Sequence, residues 1–342
     1  MLLSPEKLKQ SSMMEETITE FIRAYPSPPT EWSDYHSIRA VMDAVALQGA
    51  SQVAGVTETY RHITLRDGAA NKIKVFTPDH PPSEGSPLII LNFGGGFIAG
   101  SCEQMTVNAR CFVKAFGAVV VNPDYRLAPD HPWPTQQLDV WDTTRWCADN
   151  AKEVLKADPT KGFIIGGVSA GGNVSSVVAT MAVEQPLRHP ITGQWLAVPT
   201  LMNEDNVPDK YRQYYLSMEH NTDTPVLAAR DLDIIQGFIN ADASSPLRYP
   251  VLTKAPLSRQ PKAFIQACGL DPIRDDALVW DEMLKEAGVQ TRTELYPGCP
   301  HAHWSFMPGL DITTKARVDT VVGMAWLLGK EMSRDEALKA IA

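Results

Sequence analysis

The stretch "GFIIGGVSAGGNVSS" at residues 162–176 joins an apolar run to a Gly-Val-Ser-Ala-Gly turn and then to a helical pattern. Phe163, Ile164 and Ile165 read as a buried strand, and beyond the turn Val174, Val177, Val178 and Met181 recur at i, i+3, i+4 and i+7, the stripe of a helix. A strand that turns sharply into a helix forces its middle residue, here Ser169, into a strained backbone conformation that exposes Oγ. Small neighbours are needed to avoid clashes, and that is the geometry of a nucleophile elbow. A Gly-rich phosphate loop is the competing reading, but no Lys-Ser/Thr pair closes the turn and no Gly-x-Gly-x-x-Gly opens an early βα unit.

Outward from this stretch the same alternation repeats. "PLIILNF" (87–93), "GAVVVNPDY" (117–125), "QWLAVPTLM" (194–202) and "AFIQACG" (263–269) are short Val/Ile/Leu-rich runs separated by helical stretches, the last long one marked by Val318, Val321, Val322 and Ala325. Strands apolar throughout, separated by amphipathic helices, imply an α/β fold with a mostly parallel sheet covered on both faces. Upstream, Thr57 to Leu65 and Lys72 to Phe76 flank "RDGAAN" and read as an antiparallel hairpin. Two segments stand outside the alternation. Residues 1 to about 50 are predicted helical, with Met14, Ile18, Phe21, Ile22 and Tyr25 on one face, and residues about 203–245 carry "NEDNVPDKYRQYYLSMEH". Insertions in such sheets gather above the carboxyl ends of the strands, where ligands bind, so these pieces are expected to form one helical cap on a single domain spanning 1–342. Surface decoration unrelated to substrate is the alternative.

The bulk numbers narrow the partners. With 342 residues, 44% of them hydrophobic, the chain can bury a sizeable core. A net charge of -9 with no block of Lys and Arg disfavours nucleic acid and anionic membranes. A small-molecule partner is expected instead. The start "MLLSPEKLKQ" lacks the unbroken apolar stretch of a signal peptide, and no run of about 18 apolar residues suggests a membrane span, so a cytoplasmic protein is expected. Five cysteines with no CxxC spacing argue against a disulfide framework or a zinc ribbon, and most are expected to be reduced core residues.

A serine hydroxyl is a weak nucleophile and requires a base within hydrogen-bond reach, oriented by a third group. Asp271 follows the apolar run 263–269, and Pro272 biases it away from helix, as suits an acid at a strand's carboxyl end. Asp275 and Asp276 compete for the role but fit better as the acidic first turn of the next helix. Beyond the strand "TRTELY" (291–296), the loop "PGCPHAHWSF" (297–306) carries both His301 and His303. This is the Ser, Asp, His order expected of an α/β-hydrolase. A His-x-His metal pair is a further reading, but no ligand set lies nearby and no metal or organic cofactor is expected.

These residues carry a family resemblance over nearly the whole chain. "GVSAGGN", "NPDYRLAPDHPWP" (122–134), "DPIRDD" (271–276) and "YPGCPH" (296–301), in that order, resemble the hormone-sensitive-lipase-like branch of the α/β-hydrolases. The resemblance places the base four residues after the start of the Pro-Gly pair, on His301, although the family continues His-Gly-Phe where this chain has His301-Ala302-His303. It also gives a meaning to "LNFGGGFIAGS" (91–101): in the family a glycine loop after this strand aims backbone N–H groups at the carbonyl oxygen under attack. Gly95 and Gly96 then supply two donors and Ala170 the third, an oxyanion hole; a β-bulge or a plain tight turn is the alternative. Phe93 stands where the family has a histidine thought to brace the loop. Asp124, Arg126 and Asp139 are expected to form a structural salt-bridged turn rather than an active-site cluster.

The implied activity is serine carboxylester hydrolysis of a small or medium-sized ester through an acyl-enzyme. An acyltransferase or thioesterase would use the same three residues, and a hydrolase-fold receptor without turnover is a third reading. Phe97 and Trp304 on the motif loops, with Tyr214 in the inserted segment, are candidate substrate contacts; the inserted aromatics could equally pack the cap onto the sheet. The outer faces of the last long helix could support a homodimer.

Overall fold

In the computed structural model, residues 2–26, 31–48 and 53–341 are described. The hairpin predicted around residues 66–71 forms, β1 (Val56–Thr64) pairing antiparallel with β2 (Ala70–Pro78) and placing Ile63 opposite Asn71. The apolar runs that follow become β3 (Leu88–Asn92), β4 (Val119–Pro123), β5 (Phe163–Val168), β6 (Gly193–Ala197), β7 (Lys262–Leu270) and β8 (Thr291–Pro300). They assemble into one eight-stranded sheet in the order β1-β2-β4-β3-β5-β6-β7-β8. β2 meets β4 antiparallel, and all later pairings are parallel. Every residue of β3, β4 and β6 is buried, which is why these strands show no in/out alternation: helices cover both faces.

Because β3, β5, β7 and β8 run parallel, their carboxyl ends share one edge of the sheet. The segments starting at Phe93, Ser169, Asp271 and His301 each begin at one of those ends. Topology alone therefore gathers residues as far apart in the chain as Phe93 and His301.

The helices behind this edge follow the periodicity. Ala170–Glu184 carries Val174, Val177 and Val178 fully buried, and Asp311–Leu327 buries Val318, Val321 and Ala325. A further helix, Arg334–Ile341, is too short and polar to show a periodic stripe; it packs on Asp311–Leu327 and on Thr106–Phe116 through Ala337.

Two expectations are corrected. The loop expected to begin at Pro297 is instead strand to Pro300, because after an irregularity at Cys268/Leu270 the pairing resumes between Leu270 and Pro300. His301 thus starts at a strand end. In the N-terminal segment the expected helices form, Pro5–Ser11, Glu16–Ala24 and Tyr35–Gln48, but Met14 and Tyr25 fall outside Glu16–Ala24, so the expected face is helical only over Ile18, Phe21 and Ile22, and Met14 and Tyr25 are 40% and 68% exposed. Positions 1, 27–30 and 49–50 of that segment lie outside the described residues.

The two segments outside the alternation touch each other and the sheet edge. The Tyr35 ring meets Phe238 of the helix Ala229–Ile239 edge-on at 5.1 Å. Arg39 donates to the Ile98 and Ala128 carbonyls at 2.7 and 2.8 Å and pairs with Asp130 at 2.6 Å, tying the helix Tyr35–Gln48 to the glycine-rich loop.

The tightest constraint lies beneath Ser169. A Cβ on Gly171 would overlap the carbonyl oxygens of Asn92 and Phe93, so two backbones touch where any side chain would part them. Gly171→Ala is expected to cost about 3 kcal/mol of unfolding free energy in urea titrations, as an overpacked site against rigid backbone. A change below about 0.5 kcal/mol would show that this contact is not tight.

Candidate active site

Ser169 follows β5 and has φ 58° and ψ -118°, a left-handed conformation that non-glycine residues adopt only where surrounding structure compels it. Its amide donates to the Ala197 carbonyl at 2.8 Å. The glycines on either side permit the turn: a Cβ on Gly167 would collide with both Asn92 and Gly171.

At Ser169 Oγ a continuous relay begins. His301 Nε2 lies 2.9 Å from it, and His301 Nδ1 lies 2.7 Å from Asp271 Oδ2. Asp271 is fully buried and its Oδ1 accepts from the Ile273 amide at 3.0 Å. Held against a carboxylate, the imidazole carries its proton on Nδ1 and turns the Nε2 lone pair toward the hydroxyl. Asn221 supports the acid from behind, its amide donating to the Asp271 carbonyl at 2.8 Å.

The competing carboxylates are engaged elsewhere. Asp275 lies in the first helical turn as expected, yet its oxygens are held by Arg274 at 2.6 and 3.0 Å and by the Leu216 amide at 2.7 Å. Asp276 accepts from the amides of Leu201 and Met202 and from the Tyr215 hydroxyl, and burial pushes its carboxyl up to about 7. Both are fully buried, so tertiary partners rather than the solvated helix dipole hold them. His303 is also fully buried. Its Nδ1 faces Cys268 Sγ at 3.5 Å, its ring packs edge-on to Tyr296 and Trp304, and burial lowers its pKa to about 4.

The loop after β3 folds back against the serine turn. A Cβ on Gly94 would lie 2.9 Å from the Val168 carbonyl and 3.3 Å from Ser169 Cβ. Gly95 and Gly96 have φ of 121° and 61°, and the backbone N–H groups of Gly95, Gly96 and Ala170 have no acceptor among the described residues. Backbone donors without acceptors on the loop that packs against the Ser169 turn are the kind of group that can bind an oxygen gaining negative charge. Phe93, at the position the resemblance gives to histidine, is fully buried and stacks on Tyr125 with centroids 4.0 Å apart and planes 3° apart; the Tyr125 hydroxyl donates to the Phe93 carbonyl at 2.8 Å. An aromatic stack braces the loop here in place of polar contacts.

Asp124 and Arg126 lie outside this cleft. Asp124 pairs with Lys72 at 2.9 Å, and Arg126 binds Asp139 through two nitrogens at 2.9 and 2.7 Å and Asp67 at 2.8 Å.

The relay opens into a cleft of about 1550 Å³ lined by Phe97 and Trp304 among others, with Met42 and Ile235 contributed by the two segments outside the alternation. Tyr214 does not line it: that ring packs into a separate core cluster with Leu8 and Trp280, whereas its neighbour Tyr215 does reach the cleft. A short helix can point only some of its side chains one way, and sequence order does not reveal which. Among the described residues no group of three or more His, Cys, Asp or Glu could hold a metal, and no helix is long and apolar enough to cross a membrane. All five cysteines are buried and unpaired.

Comparison with known proteins bears on this arrangement. A model described as alpha/beta hydrolase fold matches residues 89–305. The chain is 31% identical to the versiconal hemiacetal acetate esterase of Dothistroma septosporum over 71% of its length and 74% of the relative's. It is 36% identical to carboxylesterase NlhH of Mycobacterium tuberculosis over 64% of this chain and 67% of that one. Among solved structures, vibralactone cyclase superposes with a TM-score of 0.88 at 29% identity, covering 96% of this chain and 98% of the other.

The buried His303 makes stability depend on pH in a definite direction. Its folded pKa of about 4 lies below the ordinary 6.5, so as pH falls the unfolded chain takes up the proton first. Its contribution is complete above about pH 6.5 and is lost as pH falls toward 4, on the order of 3 kcal/mol in all. Asp276 acts oppositely, weakening the fold as pH rises from about 4 to 7, but is common to wild type and variant. His303→Phe, which keeps an aromatic ring, is therefore expected to lose on the order of 2 kcal/mol less than wild type between pH 7 and 4.5 in paired denaturant titrations. Parallel pH profiles would contradict a neutral buried imidazole.

Proposed function

Since the chain belongs to the alpha/beta hydrolase fold family, in its hormone-sensitive-lipase-like branch of esterases, we propose that this serine ester hydrolase cleaves small or medium-sized carboxylesters through an acyl-enzyme on Ser169. The observation that carries the reading is the unbroken relay from Ser169 Oγ through His301 to Asp271, with steps of 2.9 and 2.7 Å.

Ser169 Oγ attacks the ester carbonyl as His301 Nε2 takes its proton. Asp271 holds the imidazole tautomer and stabilises the imidazolium without itself taking the proton. The carbonyl oxygen, becoming an oxyanion, receives the N–H groups of Gly95, Gly96 and Ala170. Each such donor is worth about 3 to 4 kcal/mol of barrier because it binds the transition state more tightly than the ground state. His301 then returns the proton to the leaving alkoxide, and a water activated by the same nitrogen hydrolyses the acyl-enzyme. No step calls for a metal or organic cofactor. The segments 1–50 and 203–245 act as a cap over the acyl and alcohol sites, a reading supported by the Tyr35–Phe238 contact and the Arg39 clamp.

The likeness to vibralactone cyclase favours a second reading, in which the acyl group passes to a hydroxyl of the same substrate. A lactone is an internal ester, so the chemistry differs only in which nucleophile resolves the acyl-enzyme. Products from hydroxy-ester substrates, free acid or lactone, separate the two by mass spectrometry.

On p-nitrophenyl esters of graded chain length, Ser169→Ala is expected to reduce kcat about 10⁶-fold and to abolish labelling by a fluorophosphonate. Asp271→Asn is expected to reduce kcat about 10⁴-fold while leaving the fold intact. Labelling that persists in Ser169→Ala would sink the assignment.

A further inference from the structure

The cleft holds a buried cation that no described anion neutralises. Arg248 is 5% exposed and is among the residues lining the same cleft as Ser169 and His301. Its guanidinium lies over the rings of Tyr249 and Phe97, 4.3 and 5.3 Å from their centroids, and Phe97 directly follows the glycine turn. Nε and Nη2 both donate to Gln236 Oε1, at 3.3 and 3.1 Å. Nη1 is buried with no acceptor, and no carboxylate of the described residues forms an ion pair with this side chain.

The backbone position is set by the serine turn itself. Asn173 donates from its amide nitrogen to the Ser169 carbonyl at 3.0 Å and from its side chain to the Arg248 carbonyl at 2.8 Å. One residue thus links the nucleophile's turn to the arginine.

A buried arginine serving structure uses its donors. Arg274 shows the contrast within this molecule: equally buried, it binds Asp275 through two nitrogens and directs Nη1 to the Leu8 carbonyl and Ser12. Arg248 feels Asp276 through space, but that carboxylate is committed to two amides and Tyr215, and burial weakens its ionisation. A guanidinium does not escape the penalty by releasing its proton. The charge is retained at a cost, in the wall of the cleft, with one nitrogen unclaimed.

We propose that Arg248 is the counter-charge for a carboxylate on the ester substrate, so that the cleft selects anionic esters such as dicarboxylate monoesters or acylated hydroxy acids. The inference rests on the hydrolase reading of Ser169. The planar guanidinium matches a carboxylate in shape and charge, and the Phe97 and Tyr249 rings against it keep its surroundings apolar. Of the acidic residues lining the cleft, Glu204, Asp205, Asp223 and Asp233 are exposed and screened by salt, and the buried Asp231 is engaged by the Ala228 amide at 2.7 Å, whereas the buried guanidinium is neither screened nor paired.

The test compares kcat/KM for monoethyl succinate, glutarate and adipate, and for acetates of ω-hydroxy acids, each against its neutral primary-amide isostere. In the unaltered chain the best anionic ester is expected to exceed its amide at least about tenfold, and Arg248→Met is expected to lower that anion-to-amide ratio about 100-fold, with partial recovery in Arg248→Lys. Where Arg248→Met does not fold, the preference of the unaltered chain and competitive inhibition by free glutarate decide. Ratios near one throughout, with Ser169 still labelled by a fluorophosphonate, overturn the carboxylate site and leave the hydrolase standing. Absence of labelling overturns the hydrolase reading, and this inference with it.

Discussion

Two stretches of backbone meet without side chains between them, and the active-site geometry depends on that contact. The carbonyls at the end of β3, Asn92 and Phe93, occupy the space a Cβ on Gly167 or Gly171 would fill, while Gly94 rests against the Val168 carbonyl and Ser169 Cβ. The serine turn and the glycine loop therefore confine each other. Ser169 can be held at φ 58° because the parallel strands β3 and β5, paired from Leu88–Phe163 to Asn92–Gly167, leave the chain no wider path. The same contact brings the unclaimed N–H groups of Gly95 and Gly96 beside the hydroxyl.

Around this contact the bracing is redundant in kind. From below, the Phe93–Tyr125 stack fixes the root of the glycine loop by ring area and one hydrogen bond. Tyr125 is itself set by the turn whose Arg126 is locked to Asp139. From above, Arg39 holds the Ile98 and Ala128 carbonyls. The glycine loop is thereby restrained by two independent sets of contacts.

Buried polar groups in this chain differ in how fully they are partnered. Arg274, Asp275, Asp276 and Gln266 are saturated with partners and behave as internal struts. Arg248 and the amides of Gly95, Gly96 and Ala170, all on residues lining the cleft, keep donors without a partner among the described residues. Unmet buried donors are uncommon in protein interiors, and here some also lie away from the cleft, at Trp133 and Trp280 Nε1, so only those on residues lining the cleft bear on a bound molecule.

The local chemistry of each motif was legible in the sequence. A strand running into Gly-Val-Ser-Ala-Gly can turn sharply only one way, an Asp followed by Pro leaves the helix, and apolar runs without alternation require a sheet covered on both faces. These depend on neighbours along the chain. The choice between His301 and His303 did not rest on local pattern: both lie in one short segment, and only the resumption of pairing at Leu270–Pro300 aims the first at Ser169 and buries the second against Cys268. The roles of Asp275 and Asp276, the failure of Tyr214 to reach the cleft, the Phe93–Tyr125 stack and the unpaired Arg248 were likewise decided in three dimensions. Each depends on what a side chain meets across the fold, and such a meeting is a property of packed elements that no short window of residues contains.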